Sequence, residues 1–571
     1  MTTQKSEIHL AAKRSTVQVN LPDGRTLEGP IDLPLEEFIR QAGFPADPPI
    51  VAAVFRRELR ELTHPVTEDG DLIPLDITTP DGTRIYRRSL VFLMLAAAHE
   101  MFPGTDIAVD HSISDGGYFC TPCDRAPFSR EELRSLEECM REISSANEPI
   151  ARREVLLAEA EAKFQQEHFL DKIRLLKSRS KEYLTLYALR GLEDYLHGYM
   201  VPSTGYIRLF QLEYASQGFT LRFPRQQKPT GIFPRGDFQK LKTTFQEYGE
   251  WQDRLGLEDV GMLNEAIAAG RGGEVVLVSE ALHDQKTAEI ARRIVATRDR
   301  VRLVLIAGPS SSGKTTFSRR LAIQMLSQGL RPFPLEMDNY FVDRDHTPRN
   351  DNGQPDFEAF DAVDRTLLTE NLKQLMRGEE VVLPRFNFQT GKRERGDAIT
   401  LPKNAVVVME GIHGLNPELL ANFHQGEVYR IYVSALTQLN LDRHSRISTT
   451  DSRLIRRIVR DSTKRGYSPA FTIARWEMVR TGERKYIFPY QENADVMFNS
   501  ALVYELSVLR TIAEPLLRQV DPDSLEFMEA KRLLAFLAWF RSLSADIVPD
   551  DSILREFIGG SILEKFQMWG S

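Results

Sequence analysis

Val301–Leu321 reads VRLVLIAGPSSSGKTTFSRRL. An apolar run rich in branched residues stops at glycine, passes through a serine-rich loop, and resumes as a helical pattern. A run of that length bounded by Gly reads as a buried strand. Gly308, Gly313, Lys314 and Thr315 then satisfy G-x-x-x-x-G-K-[ST] between the strand and the helix start, where the motif has a mechanism. The glycines let the backbone curl so that successive N–H groups face inward, and the helix adds the positive end of its dipole. Gly308, Pro309, Ser310, Ser311, Ser312, Gly313, Lys314, Thr315 and Thr316 are therefore the candidate cradle for the phosphates of a nucleotide. Lys314 would reach the terminal phosphates, and the Thr315 hydroxyl would hold Mg²⁺.

Downstream, LVLIAG, FSRRLAIQML, VVLP, AVVVMEG and VYRIYVS alternate as strands and helices, the pattern of a mostly parallel sheet with helices on both faces. FPLEMDNYF puts Asp338 at the end of a short apolar segment, at the sheet edge where α/β proteins bind ligands. Transfer of a phosphoryl group to an alcohol needs an acceptor for the hydroxyl proton, and Asp338 is the candidate base. AVVVMEG places Glu410 at the matching end of another strand, positioned for Mg²⁺. A guanine-reading Asn-Lys-x-Asp element is excluded, because the sequence contains no Asn-Lys dipeptide.

The chain is an α/β multidomain protein by length: 571 residues exceed what one core organises. A net charge of -8 argues against general nucleic-acid coating, and three cysteines are too few for a disulfide framework. The first residues, MTTQKSEIHLAAKRS, lack the apolar core of a signal peptide, and LVFLMLAAA is too short to span a bilayer. A cytoplasmic protein with no membrane partner is expected. TVQVNLPDGRTL reads as a hairpin, and the helical LPLEEFIRQAG that follows stops at Gly43, together a small β-grasp. A second Pro-Asp-Gly turn at 80–82 precedes a predicted helix over 89–101, and the Gly-rich HSISDGGYF opens a second domain. Residues 129–192 read as mostly helical and charged, a solvated layer or arm, and 201–224 as strands. The predicted domains are 1–80, 84–224, a connector at 225–300 with a Gly-Arg-Gly-Gly turn at 270–273 before VVLVSEAL, 301–505, and a helical extension at 506–571.

The segment from Val301 to about Asn499 resembles the uridine kinase and phosphoribulokinase branch of P-loop kinases. The landmarks stand in order: GPSSSGKTT; MDNYF, similar to Q-D-x-[FY]-Y; LPRFNFQTGKR, similar to Y-D-F-x-x-H-x-R; VVVMEGI; RLIRRIVRD, similar to R-x-x-R-R-x-x-R-D; and NADVMFN. The resemblance implies ATP and Mg²⁺, with Asp338 as catalytic acid and Thr315, Glu410 and Asp338 about the metal. It assigns Arg457, Arg460 and Arg465 to a mobile lid near the phosphates, with Lys314 and the first two of these acting in catalysis. Arg453, Arg456, Arg457, Arg460 and Lys464 fall on one helix face, where cations could stabilise a transferring phosphoryl group. The acceptor pocket is expected from Asp338, Tyr340, Glu358, Phe386, Arg393, Tyr467 and Arg475. Several of these depart from the family. Glu358 lies in Phe-Glu-Ala-Phe-Asp where the family has F-D-H-P-D, Phe386 and Gly391 replace its Tyr and His, Tyr467 replaces an Arg, and Arg475 lies near its Gln. Phosphoryl chemistry is kept, and a nucleoside is the leading acceptor, with another small alcohol as the alternative.

TVQVNLPDGRTLEG resembles the TGS domain of threonyl-tRNA synthetases, and 84–224 resembles the adjoining editing domain of those enzymes. RRSLVFLMLAAAHEMFPGTDIAV and DYLHGYMVPSTGYIRLFQL carry the second likeness. The family's editing side chains are replaced by Arg88, Phe92, Leu196 and Met200, so that chemistry does not transfer. The front half could remain as a binding module with RNA as partner, and self-association stays open. Cys120-Thr-Pro-Cys123 lacks a second ligand pair, with only His99 and His111 at hand, and reads as ordinary thiols in a turn.

Overall fold

A computed structural model describes residues 14–566 apart from 350–352, 354, 388, 389, 403 and 422. Most of the N-terminal stretch read for a signal, and positions 388 and 389 within LPRFNFQTGKR, lie outside the described residues. The chain forms two compact units, the first running through Ala160 with Lys181–Arg235, the second combining Glu161–Ser180 with Gly236 onward.

The second unit is built on a five-stranded sheet in the order Arg331–Glu336, Ala405–Glu410, Leu303–Ala307, Val428–Ser434 and Val496–Asn499. Every neighbouring pair is parallel. Parallel strands need crossovers, and the central strand Leu303–Ala307, buried at every position, returns through the helix Lys314–Ser327. Leu303, Leu305, Phe333, Leu335, Val407 and Met409 pack with Leu368, Leu372 and Leu375 of the Arg365–Met376 helix into one core. In register, Glu336 stands opposite Glu410, and Glu410 opposite Ile306. The carboxyl ends of three strands therefore reach one edge together, directly above the loop that leaves Ala307.

Several expectations are corrected. VVLP belongs to an antiparallel hairpin, Val381–Asn387 with Lys392–Ile399, and not to the parallel sheet. The predicted connector contains the helices Gln239–Leu255, Val260–Ala268 and Gly272–Ala296, and VVLVSEAL is helical. Its branched residues resemble a strand locally. Tertiary contact decides otherwise, because buried Glu280 of that helix meets Arg320 of the Lys314–Ser327 helix at 3.1 Å. Residues 161–180, read as part of an arm, join the second unit, where Asp171 accepts from the Arg443 N–H at 2.8 Å and Arg174 pairs with Asp259 at 2.9 Å.

The first unit carries the β-grasp-like sheet Thr26–Pro30, Thr16–Asn20, Gly70–Asp76, Ile50–Phe55 and Glu58–Arg60 with the helix Leu35–Ala42. Gly43 ends that helix at φ 71°, a left-handed conformation that glycine adopts without steric cost. Pro80-Asp81-Gly82 is not a turn before a helix but its first turn. Thr79 caps it by accepting from the Gly82 N–H, Pro80 supplies a preset φ, and the helix runs Pro80–Met101. The region 129–192 is mostly helical as expected, over Arg130–Ala146, Leu157–Gln166 and Leu170–Leu176, but it also contributes strands that its spacing does not predict. After the helix Arg130–Ala146, Ala151–Leu156 pairs antiparallel with Tyr183–Leu189. All but one residue of ARREVL face solvent, which hides the alternation expected of a strand. Of the predicted strand region 201–224, only Gln211–Ala215 and Gly218–Arg222 are strands.

Candidate active site

The loop after Leu303–Ala307 is held tightly on all sides. A Cβ at Gly308 would stand 1.9 Å from the Val433 carbonyl oxygen, so only glycine lets the loop pass that strand. Gly313 begins the helix at φ 84°. Lys314 folds over the loop, its Nζ donating to the carbonyls of Gly308 at 2.9 Å and Pro309 at 3.1 Å. Ser311 Oγ and Ser312 Oγ are buried with no hydrogen-bond partner among the described residues, donors that suit phosphate oxygens. Thr315 Oγ1 donates to Glu410 Oε1 at 2.9 Å, bringing together a hydroxyl and a carboxylate separated by 95 positions in the chain. This oxygen donor pair has the chemistry Mg²⁺ prefers.

Electrostatics tie Lys314, Thr315, Asp338 and Glu410 into one neighbourhood. Burial pushes the Glu410 carboxyl up to about 7; Lys314 and the Thr315 hydrogen bond oppose the rise, while the charges of Glu556 and Asp338 add to it. Asp338 sits in the short turn Met337–Tyr340, immediately past the Arg331–Glu336 strand, and its side chain reaches solvent. Crowding by protein raises its carboxyl above the ordinary value, Lys314 pulls it back, Glu336 pushes it up and Arg465 pulls it down. Glu358 joins the same field. Burial first and then Glu483 lift it to about 7, against Arg457 and Lys314. A Cβ at Gly482 would meet the Glu358 Cβ at 2.8 Å, so the Pro469–Tyr486 helix closes on Glu358 at a glycine.

The arginines of the Thr449–Arg465 helix divide by function of position, and the single basic face expected from their spacing is corrected. Arg453 turns inward to a buried pair with Glu483, which also accepts from the Ser310 N–H at 2.9 Å, and Arg453 Nη1 donates to the Ser310 carbonyl at 3.1 Å. Arg456 is buried against Glu505 and donates to the Ser500 carbonyl at 2.8 Å. These two brace the phosphate loop from beneath. Arg457 Nη1 donates to Ser310 Oγ at 2.7 Å, at the loop surface. Arg457, Arg460 and Arg465 all approach the buried Asp461 carboxylate, at 3.3, 3.0 and 3.5 Å, which gathers three cations beside the loop. Lys464 instead pairs with Glu564.

The expected acceptor residues are not all brought together. Tyr340 is a correction: it is wholly buried in the hydrophobic core, where its hydroxyl accepts from Asn371 Nδ2 at 3.3 Å and is pushed up to about 12 by burial. A Tyr two residues past a strand-end carboxylate points back into the core because the turn there is a tight 3₁₀ one. Phe386 is buried edge-to-face with Phe341, and its N–H donates to Asn339 Oδ1, next to Asp338. Arg393 pairs with Asp364 at 2.7 Å on the hairpin. Tyr467 stacks on Phe471, with Arg475 over the same ring, as an exposed cluster. Glu483, Asn339 and Ser500 were missed by sequence reading. Glu483 and Ser500 lie outside the quoted motifs and Asn339 fills the unspecified position of MDNYF, and only the pairing with Arg453, Arg456 or the Phe386 backbone gives each a place.

In the first unit, Arg88 is half-buried and donates to the Tyr199 carbonyl, and Phe92, Leu196 and Met200 are core residues. Cys120 is buried with its thiol pushed up by burial, and His111 stacks on Phe119. Among the described residues no group of three or more His, Cys, Asp or Glu side chains is arranged to hold a metal ion, and no helix is long and apolar enough to cross a membrane.

Residues 303–507 match the phosphoribulokinase / uridine kinase family, and form a kinase domain of that family. Over its N-terminal region the chain is similar to threonine–tRNA ligases. That of Streptococcus mutans serotype c is 28% identical over 266 residues, covering 44% of this chain and 40% of the ligase. That of Syntrophotalea carbinolica is 29% identical over 199 residues, covering 34% and 31%. The chain thus spans less than half the length of these relatives. A Bacillus stearothermophilus structure described as a possible uridine kinase aligns with 38% of this chain and 98% of its own, at 20% identity and a TM-score of 0.26.

Proposed function

We propose that the domain at 303–507 transfers the γ-phosphate of ATP to a hydroxyl of a small molecule, with a nucleoside as the leading acceptor. The observation that carries this reading is the Thr315–Glu410 contact at 2.9 Å with Lys314 and Asp338 in the same field. Asp338 takes the proton of the acceptor hydroxyl as its oxygen bonds to the γ-phosphorus, and the bond from that phosphorus to the bridging β–γ oxygen breaks to release ADP. Its solvent-reached position gives an alcohol access. Lys314 and Arg465, which favour the ionised form of Asp338, keep it able to accept. Arg457 and Arg460, gathered by Asp461, face the charge that spreads during transfer. Thr315 and Glu410, with Asp338 nearby, would hold Mg²⁺, which when bound neutralises phosphate charge. Glu358, brought against Gly482, is the polar group best placed to orient the acceptor.

Loss of the family's Tyr and His at Phe386 and Gly391 supports a preference that differs from uridine, because a pocket that reads a base loses selectivity when its hydrogen-bonding groups go. The test is ADP formation over a panel of nucleosides and polyols with ATP and Mg²⁺. Acceptor-dependent ADP is the expected result, and no acceptor effect in either class would overturn the reading.

A pH effect follows from Glu410. Its carboxyl, raised to about 7, is protonated in a growing fraction of molecules as pH falls through that value, and only the ionised form can hold the metal. At sub-saturating Mg²⁺, turnover therefore declines as pH falls from about 8 to about 6, and added Mg²⁺ moves this acid limb to lower pH. A limb that stays put as Mg²⁺ rises would separate Glu410 from the metal.

The likeness of the N-terminal region to threonine–tRNA ligases favours a second reading for that region alone, as an RNA-binding module. Salt-dependent RNA binding by the full chain is the check, with the slope counting phosphate contacts.

A further inference from the structure

The C-terminal extension contributes a carboxylate to the phosphate loop. Glu556, in the short helix Arg555–Ile558, accepts a hydrogen bond from the backbone N–H of Thr316 at 3.1 Å. Thr316 lies in the first turn of the Lys314–Ser327 helix, where the N–H groups are unsatisfied within the helix and the dipole favours an anion. It directly follows Thr315, the last residue of the motif whose backbone cradles the α- and β-phosphates of a nucleotide, and belongs to the candidate cradle. The Glu556 charge is felt by the rest of the centre, since it pushes the Glu410 carboxyl up and favours the charged form of Arg465.

The segment bearing Glu556 is anchored on both sides of that contact. Ile553, Leu554 and Phe557 are wholly buried. A Cβ at Gly313 would lie 2.5 Å from Ile553 Cγ2, so the extension rests directly on the loop's second glycine. The Phe557 ring sits 5.0 Å from the Arg456 guanidinium, and its carbonyl accepts from Thr463 Oγ1 at 3.2 Å. Glu564 pairs with Lys464. The extension thus grips the loop and the arginine helix together, while the Glu556 side chain is only half-buried.

We propose that Glu556 is a built-in competitor for the nucleotide: its carboxylate occupies the Thr316 N–H that a phosphate of ATP would use, so ATP binds only after that side chain has swung away. The inference rests on the loop being an ATP site. Because the carboxylate and the phosphates are both anions, they cannot share the donor, and the fraction of molecules with Glu556 withdrawn scales the apparent affinity. Any event that draws the extension off the loop would then tighten nucleotide binding with no change at the loop itself.

The test compares ATP binding by the full chain and by Glu556→Gln, by calorimetry in Mg²⁺, with thermal unfolding of both as control. Glu556→Gln keeps the shape and removes the charge, and is expected to bind ATP about tenfold more tightly at unchanged Tm. Binding by the wild type with equal or weaker binding by the variant overturns the inference and makes Glu556 a support of the loop. Absence of ATP binding in both proteins overturns the nucleotide reading, and this inference with it. If Glu556→Gln does not fold, Glu556→Asp, which draws the charge back by one methylene, is measured in its place, with tighter binding expected and unchanged affinity overturning.

Discussion

Replacing Asp338 by Asn lowers kcat by about 10²–10⁴-fold while leaving ATP affinity within about a factor of two. The amide matches the carboxylate in shape but cannot take a proton, so the loss falls on the chemical step. Binding is spared because the nucleotide is held by the loop, by Lys314 and by Thr315 with Glu410, whose contact does not involve Asp338. Removing the Asp338 charge also eases ionisation of Glu410, since Asp338 is one of the groups that push that carboxyl up. The Mg²⁺ requirement should therefore not increase. Single-turnover kinetics with ATP titration separates the two quantities. A variant that loses ATP and Mg²⁺ binding in parallel with turnover would place Asp338 in the metal shell and leave the proton acceptor to another group, with Glu358 first in line.

Replacing Glu483 by Ala destabilises the second unit by about 3–5 kcal/mol. Its partner Arg453 is 3% exposed and Glu483 1% exposed, so truncation leaves a buried guanidinium without its counter-charge. Glu483 also accepts from the Ser310 N–H, and the same change frees the tip of the phosphate loop. Thermal unfolding should fall steeply, and ATP affinity of the surviving folded protein should fall with it. Glu358 reports the change separately, because Glu483 is the second cause, after burial, of its raised carboxyl. A loss below about 1 kcal/mol would mean that water or another acid reaches Arg453, contrary to the enclosure described.

Much of the centre was legible because its groups belong to contiguous patterns. A strand, a glycine loop and a helix start occur in unbroken order at 303–316, Glu410 ends a strand-length apolar run, and Asp338 follows a strand by two residues. What escaped reading depends on contacts between distant segments. Arg453 and Arg456 have the spacing of an exposed basic face, and only Glu483 and Glu505 turn them inward. Glu556 stands 240 positions from the N–H it meets. VVLP has the composition of a buried strand, yet pairs with KRERGDAI, whose polar residues face solvent. Tyr340 carries the residue type of a site group but follows a turn that aims it at Asn371. In the first unit, Pro80-Asp81-Gly82 shows that the same three residues that make a turn also start a helix when Thr79 precedes them as a cap.

The central claim is that Lys314, Thr315, Asp338 and Glu410 form one centre for moving a phosphoryl group from ATP to an alcohol. The most direct measurement is ³¹P NMR of the full chain with ATP, Mg²⁺ and each acceptor of the nucleoside and polyol panel. A phosphomonoester signal that grows with ADP, depends on the acceptor and vanishes in Asp338→Asn is the predicted result. Inorganic phosphate alone, formed at the same rate whether or not an acceptor is present and undiminished in Asp338→Asn, would contradict it.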